Sequence, residues 1–216
     1  MSDSIDLIVK LIPLFPLTAV LINGLFGHRY SHDLAHRFAW GPVLMSFLCV
    51  LAVFTETLRT GAAREVIAYK WIFGGDLTIN LAYLIDPLTC IMLLVITGVG
   101  FLIHVYSVGY MHGEAGFTRF FVYMNLFMVS MLLLVMGNNY VVLFIGWEGV
   151  GLCSYLLIGY YYDKVSAAKA ATKAFVVNRI GDAGFLLAIF LVFVNFRTLD
   201  YTQVMQNAAQ LSPEMA

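Results

Sequence analysis

The apolar stretch over residues 140–162, YVVLFIGWEGVGLCSYLLIGYYY, constrains the fold of this chain more than any other segment. About 20 mostly apolar residues span the hydrocarbon core of a bilayer as a helix. Its one carboxylate, Glu148, is the ninth residue and lies about 12 Å along that helix. A charge at this depth costs on the order of 2.5–3.5 kcal/mol, so it must face other helices, water or a partner charge.

Glu148 is therefore the first candidate functional residue, and two interpretations remain open. Burial favours the protonated form of a carboxyl group, so such a group can exchange a proton near neutral pH. Alternatively, the carboxylate is structural and forms a hydrogen bond to a neighbouring helix. Gly151 and Tyr155 share its helical face, where Gly151 leaves room beside the carboxylate and Tyr155 either donates a hydrogen bond or anchors the interface.

The composition indicates an integral membrane protein, because 61% of the 216 residues are hydrophobic and only 12% are charged. A net charge of −1 gives no electrostatic case for nucleic acid as a partner. Cys49, Cys90 and Cys153 lie in apolar runs without metal-ligand spacing, which favours packing. With no GxGxxG, P-loop, CxxCH or iron–sulfur cysteine set, we expect no cofactor and no metal in this chain, and proton or ion movement as its chemistry.

The hydropathy pattern predicts an all-α polytopic membrane protein with about six transmembrane helices and a short β-hairpin between helices two and three. Residues 1–59 hold two N-terminal helices, 60–85 an outer-side loop with the hairpin, 86–196 helices three to six, and 197–216 a polar tail. Asp86 and Pro87 predict a capped start of helix three, and residues 137–139 the turn between helices four and five. The predicted spans are residues 7–27, 38–58, 86–110, 120–136, 140–162 and 167–196.

The hairpin prediction rests on two β-favouring runs, residues 66–72 and 77–83, with Gly74 and Gly75 between them. The second run places Leu77, Ile79, Leu81 and Tyr83 on one face. A lone hairpin is marginally stable in water, so we expect it to pack on neighbouring protein or on the membrane surface. A modest bias of basic residues among the loops places the N-terminus and the hairpin on the outer side.

A second polar group lies in helix six, where Arg179 and Asp182 are three residues apart and share one face near mid-span. They form either an intrahelical ion pair that lowers the cost of burial or a switchable pair that alters the field at Glu148. Lys173 lies roughly opposite Asp182 around the helix, where snorkelling explains it and a proton role is the alternative. His104, alone in helix three, favours packing over a proton role.

Three segments resemble one known family. Residues 124–162, MNLFMVSMLLLVMGNNYVVLFIGWEGVGLCSYLLIGYYY, resemble the fourth and fifth helices of the largest antiporter-like subunit of respiratory complex I, subunit L in bacteria and chain 5 in mitochondria. Residues 84–111, LIDPLTCIMLLVITGVGFLIHVYSVGYM, resemble its third helix, and KAFVVNRIGD, residues 173–182, its sixth. The run WEGVGLCSYLLIGYY is the most specific part of the match.

The resemblance implies a role in proton translocation coupled to NADH:quinone oxidoreduction. Glu148 matches the family's fifth-helix glutamate in a proton half-channel, Arg179 and Asp182 match sixth-helix positions that couple neighbouring sites, and Lys173 matches a sixth-helix lysine. The implied partners are other membrane-arm subunits, especially a neighbouring antiporter-like subunit, with protons and the lipid bilayer. NADH, FMN, iron–sulfur and quinone sites are expected in other subunits. The implied location is the bacterial inner membrane, with the mitochondrial inner membrane as the alternative.

Family members are much longer and contain a pair of inverted repeats, whereas this sequence ends after helix six, before the seventh-helix lysine expected to pair with Glu148. We therefore expect an N-terminal fragment that is inactive alone. Two other interpretations stay open: a sodium/proton antiporter subunit with no redox partner, and a non-transporting assembly protein whose polar residues only pack helices.

Overall fold

The computed structural model describes residues 2–27, 29, 31–74 and 77–209, so Gly75 and residues 210–216 of the predicted tail lie outside the described residues. It confirms the predicted fold: six helices are long and apolar enough to cross a membrane, and a two-stranded hairpin separates the second from the third. The elements in chain order are α1 Ser2–Phe26, α2 His32–Thr60, β1 Arg64–Gly74, β2 Leu77–Ile85, α3 Pro87–Tyr110, α4 Phe117–Met136, α5 Tyr140–Ile158, α6 Val165–Phe196 and α7 Tyr201–Ala208.

Three helix ends differ from the sequence prediction by four or more residues. The first helix begins at Ser2 rather than at residue 7, and the second begins at His32 rather than at residue 38. The fifth helix ends at Ile158 rather than at residue 162, and the chain turns there with a bond from the N–H of Tyr160 to the carbonyl three residues earlier. The tyrosines that follow lie in this turn, as expected for rings at a membrane interface.

The helices form one bundle with an open side. The helix α4 packs against α1, α2 and α3, whereas α5 packs against α4 and α6 against α5. Buried apolar side chains from all four helices of the first group meet at one end of the bundle, with the hairpin covering them. Representative members of this core are Val9, Val53, Leu93, Leu132 and Tyr83. One face of α5 and α6 is left open, and the candidate site lies there.

The predicted capped start of helix three is confirmed. The Asp86 carboxylate accepts a hydrogen bond from the Thr89 N–H at 2.7 Å, and Pro87 is the first helical residue.

The two strands of the hairpin pair antiparallel, from Arg64 opposite Ile85 to Gly74 opposite Leu77, with two irregularities in β1. At each of these β-bulges, one residue of β1 has no opposite residue on β2.

On the β2 face predicted to hold Ile79, Leu81 and Tyr83, Ile79 and Tyr83 are buried and Leu81 is half-buried, while Ala82 on the opposite face is fully buried. An ion pair of 2.7 Å between Arg64 and Asp6 ties the hairpin to α1. The hairpin therefore packs on neighbouring protein, which is one of the two expected settings for it.

The turn between α4 and α5 is a polar junction at the end of the bundle that carries the hairpin. The Asn139 side-chain oxygen accepts hydrogen bonds from the N–H groups of Val141 and Val142 and so caps α5, and its amide donates to the Asn80 carbonyl at 2.9 Å. The Asn138 amide donates to both Glu65 and Asp200.

The turn residues therefore join the hairpin, α5 and the segment that leads into α7. The backbone adds two further bonds, from Tyr140 N–H to the Leu199 carbonyl and from Tyr201 N–H to the Asn138 carbonyl. The described part of the predicted tail, residues 197–209, thus folds back onto the hairpin end of the bundle.

Two glycines set how closely α5 approaches α4. A Cβ atom added at Gly146 would overlap the backbone of Leu134, and one added at Gly149 would lie 2.8 Å from the Cβ of Ser130. Small residues at such positions let membrane helices pack closely by van der Waals contact. Because this glycine face is turned to α4, the face that carries Glu148 is turned away from it, toward α6.

We expect Asn139→Ala to destabilise the protein by about 1–2 kcal/mol, because it removes the cap of α5 and the bond to the hairpin. Thermal unfolding of the purified membrane protein measures this. The matched control is Asn195→Ala, which removes an exposed asparagine whose amide bonds only the carbonyl one turn earlier. An equal effect of the two substitutions would contradict the capping role.

We expect Gly146→Ala to destabilise the protein by about 1–3 kcal/mol, because the new methyl group would separate α5 from α4. The control is Gly41→Ala, since no atom lies within 4 Å of a Cβ added there. Both variants are compared by their thermal midpoints. Equal midpoints for Gly146→Ala and the unmodified protein would show that the close approach of α5 and α4 is unnecessary.

Candidate functional site

The candidate site is a charged network between α5 and α6, built around Glu148 and Arg179. Glu148 is half-buried in the middle of α5, and its Oε2 atom forms an ion pair with Nη1 of Arg179. The sequence placed the two residues in neighbouring helices but did not pair them, since only the packing of α6 on α5 decides which side chains meet. In this chain, the partner of the mid-membrane carboxylate is an arginine of α6.

The same guanidinium also contacts a second carboxylate. Arg179 Nη1 lies 3.4 Å from Oδ2 of Asp182, which confirms that these two side chains meet along α6. The Asp182 side chain is only 8% exposed, and its other oxygen accepts a hydrogen bond of 2.8 Å from the indole N–H of Trp147. One arginine is therefore shared by two acids, and the more buried acid has a second donor.

Trp147 is the site residue that sequence reasoning missed. Its indole N–H needs an acceptor when the ring lies within a membrane span, and Asp182 is that acceptor. Its ring packs edge-on against Phe185, with centroids 5.9 Å apart. The demand of an indole N–H for a partner was the available signal, because Trp147 adjoins Glu148 in a span with few polar groups.

The guanidinium of Arg179 packs on an aromatic ring, which in turn packs on a second one. The guanidinium carbon of Arg179 lies 4.5 Å from the ring centroid of Phe175, and that ring contacts Tyr155 at 5.3 Å. A Cβ atom added at Gly151 would lie 3.6 Å from Nη2 of Arg179. The predicted space beside Gly151 thus holds a guanidinium, and Tyr155 supports the site through ring packing.

The network carries one excess negative charge and is open on one side. The side chains of Arg179 and Glu148 are 34% and 24% exposed, whereas Asp182 is nearly enclosed. Glu148 is thus the carboxylate of the pair that a proton or water molecule reaches more easily. Protonation of Glu148 would leave Arg179 and Asp182 as a neutral pair.

Lys173 does not join this group. Its side chain is exposed, and it takes part in none of the ion pairs found among the described residues. Its position nine residues before Asp182 on α6 fits a side chain that extends toward a membrane surface. A proton role for Lys173 stays a prediction.

A cavity of about 210 Å³ lies between α4, α5 and α6, on the side of the network away from the hairpin. Its polar lining includes Arg119, Tyr155, Tyr160 and Thr172. Burial raises the pKa of the Tyr160 hydroxyl group, so this group stays protonated at neutral pH and can donate a hydrogen bond. Because Tyr155 lines the cavity and also touches the ring beneath Arg179, open space lies one aromatic layer from the network.

Among the described residues, no group of three or more His, Cys, Asp or Glu side chains is placed to bind a metal ion. The three cysteines are free thiols, with Cys90 and Cys153 buried. The contacts at the site are ion pairs of Arg179 with two carboxylates and a hydrogen bond from Trp147 to one of them.

Comparisons with known proteins place this geometry in a family. Residues 71–121 match the family described as NADH-ubiquinone oxidoreductase (complex I), chain 5 N-terminus. Residues 137–215 match the family described as NADH:quinone oxidoreductase/Mrp antiporter, TM. The second match contains the whole charged network.

Individual relatives agree with these matches. The chain is 43% identical over 204 residues to NADH-quinone oxidoreductase subunit L of Pseudomonas aeruginosa, covering 93% of this chain and 33% of that protein. It is 40% identical over 198 residues to NADH-ubiquinone oxidoreductase chain 5 of Metridium senile, covering 92% of this chain and 33% of that protein. The chain thus spans about a third of the length of these curated relatives.

The fold recurs in a solved structure described as the membrane-bound sulfane sulfur reductase (MBS), an archaeal respiratory membrane complex. The superposition has a TM-score of 0.82 at 20% identity and covers 95% of this chain and 41% of that chain. Six membrane-spanning helices, the specific WEGVGLCSYLLIGYY run and these matches lead to one conclusion. The chain is an integral, multi-pass membrane protein that belongs to the family of subunit L, or chain 5, of NADH:quinone oxidoreductase.

Proposed function

We propose that this chain is the N-terminal part of a proton-translocating membrane subunit of NADH:quinone oxidoreductase and that Glu148 takes up and releases the proton. The observation that carries the proposal is the single carboxylate at mid-span, half-buried and paired with an arginine that a second carboxylate shares. Ionisable groups within membrane spans mark proton or ion pathways when they face a bundle interior.

The shared guanidinium suggests how the charge of Glu148 changes. With Glu148 ionised, Arg179 contacts both acids. When Glu148 accepts a proton from water, its attraction for the guanidinium falls and Arg179 remains with Asp182. Loss of the proton restores the first arrangement, so the step adds and removes one proton at Glu148 and alters no other covalent bond.

Trp147 and Asp182 act as positioning residues in this proposal. The indole N–H donates to one oxygen of Asp182, and the Arg179 guanidinium contacts the other, so Asp182 is held from two sides. Asp182 in turn keeps Arg179 within reach of Glu148 while Glu148 gains and loses its proton.

The cavity lined by Tyr155 and Tyr160 supports an approach for water from the inner side. Its lining hydroxyl groups can hydrogen-bond water, and it ends one aromatic layer short of Arg179. We propose Lys173 as a secondary charge on that side, since it lies on α6 toward the inner end.

The redox chemistry is proposed to lie elsewhere in the assembly. The relatives named above are described as subunits of NADH-quinone or NADH-ubiquinone oxidoreductase, which supports other membrane-arm subunits as partners. We propose that NADH, FMN, iron–sulfur clusters and quinone bind those other subunits, that this chain holds no redox centre and is inactive alone, and that the membrane is a bacterial or mitochondrial inner membrane.

A second candidate function is cation/proton antiport without a redox partner. The family description that matches residues 137–215 names an Mrp antiporter beside the quinone oxidoreductase, and this favours the alternative. The two functions differ in what drives the proton. Antiport would give a sodium-dependent pH gradient in vesicles that lack the other oxidoreductase subunits.

We expect Glu148→Gln, introduced into the full-length protein within its assembled complex, to lower proton translocation by roughly tenfold or more, because glutamine keeps the size of the side chain but cannot carry the proton. The measurement is the NADH-driven pH gradient in sealed membrane vesicles, normalised to the amount of assembled complex.

The matched control is Glu56→Gln, which neutralises a partly buried glutamate that faces Arg59 three residues later in the same helix. This variant should translocate protons normally. Normal translocation by Glu148→Gln would refute the role of Glu148. A reduced amount of complex with normal translocation per complex would instead support a role in assembly alone.

We expect Trp147→Phe to lower translocation less than Glu148→Gln does. Phenylalanine keeps the ring contact with Phe185 but removes the donor to Asp182, a hydrogen bond to a charged group that contributes about 1.5–3 kcal/mol. The same vesicle assay measures it, with Trp71→Phe on the exposed hairpin face as the control. Equal translocation by these two variants would exclude Trp147 as a positioning residue.

A further inference from the structure

Two polar side chains away from the charged network are fully buried, His104 on α3 and Asn125 on α4. His104 and Asn125 are both 0% exposed. Each makes one bond to the backbone of its own helix: His104 Nδ1 lies 2.8 Å from the Gly100 carbonyl oxygen, and the Asn125 amide donates to the Phe121 carbonyl at 3.0 Å. The remaining polar atoms, His104 Nε2 and Asn125 Oδ1, have no hydrogen-bond partner among the described residues.

The chemistry of these backbone bonds defines what is missing. The Gly100 carbonyl can only accept, so the neutral His104 ring carries its hydrogen on Nδ1 and presents a lone pair at Nε2. The Phe121 carbonyl can only accept as well, which assigns the NH₂ group of Asn125 to that side and leaves Oδ1 on the other. Both unpartnered atoms are therefore acceptors, and neither can satisfy the other.

His104 and Asn125 lie at the same level along the packed helices α3 and α4. The His104 ring lies 6.2 Å from the ring of Phe121, and a Cβ atom added at Gly100 would lie 2.7 Å from the sulfur of Met128. One turn of α3, from His104 to Gly100, thus corresponds to the stretch of α4 from Phe121 to Met128. Asn125 lies within that stretch and on the same buried face.

We propose that His104 Nε2 and Asn125 Oδ1 form a site of two hydrogen-bond acceptors, separate from Glu148, that binds one hydrogen-bond donor. The donor has two possible sources. A buried water molecule donates one O–H to each acceptor, or a proton added to His104 at Nε2 gives an N–H that donates directly to Asn125. Buried waters commonly satisfy pairs of polar groups that the protein leaves unpaired.

The surroundings favour water over the added proton at neutral pH. The sequences of α3 and α4 contain no carboxylate, and the one cation of α4, Arg119, bonds the Tyr160 carbonyl at 3.2 Å on the α5 side. Described titratable or charged groups on the elements packed against α3, and on α3 itself, are His36, Arg37, Cys49, Glu56, Arg59, Tyr83, Cys90, Tyr106, Tyr110, Arg119 and Tyr123. Among the described residues, no ion pair includes His104.

A double-substitution cycle tests whether a donor is bound. In the full-length protein in its native membrane assembly, Asn125→Leu and His104→Leu are made singly and together, and the thermal midpoint is measured. With a donor bound, each single variant leaves that donor half-satisfied and lowers the midpoint by several degrees, whereas the double variant loses less than the sum. Additive shifts would overturn the proposal, as would single variants at least as stable as the unmodified protein.

The control cycle uses Thr97→Val and Ser130→Ala, two buried hydroxyl groups that each bond a carbonyl of their own helix. Their shifts should add. If all four single variants prevent assembly, density maps of the unmodified assembly at pH 8 and pH 5.5 decide instead. Water density between Nε2 and Oδ1 supports the first source, direct contact of the two atoms at the lower pH supports the second, and apolar atoms filling the gap overturn the site.

Discussion

The structure of the candidate site depends on one guanidinium that two carboxylates share inside an apolar bundle. Arg179 compensates Glu148 and Asp182 at once, and a charge near the middle of a bilayer is tolerated when it is compensated in this way. The two acids differ in their surroundings, because Asp182 is enclosed and accepts the Trp147 indole N–H while Glu148 is more open. That difference leaves Glu148 as the more accessible of the two carboxylates.

The position of this network follows from packing at a distance from it. The glycine face of α5 holds the helix against α4, and this leaves the opposite face for α6. At the hairpin end of the bundle, Asn138 and Asn139 form hydrogen bonds that connect the start of α5 to the hairpin and to the segment before α7. The helix that carries Glu148 is therefore held along one side and at one end, and its charged face remains open.

Much of the fold followed from patterns that depend only on neighbours in the chain. Long apolar runs predicted the six spans, and Asp86-Pro87 predicted the start of α3, since capping is a local interaction. Helical spacing also predicted that Arg179 and Asp182 meet. The starts of α1 and α2 were predicted too late, because both helices begin in polar residues before the apolar run. The end of α5 was also predicted too late, because apolar and aromatic residues continue past the point where that helix stops.

Contacts between distant residues could not be read in this way. Three kinds of contact join different elements. Glu148 pairs with Arg179, Trp147 donates to Asp182, and Asn138 bonds side chains across the junction at the hairpin end. They depend on which faces of neighbouring helices meet. The sequence by itself determined the membrane setting, the helices, the hairpin and the identity of the buried charges, because hydrophobic length and local capping specify them. Only the tertiary structure decided which charges share a partner, because that depends on the rotation and spacing of α5 and α6.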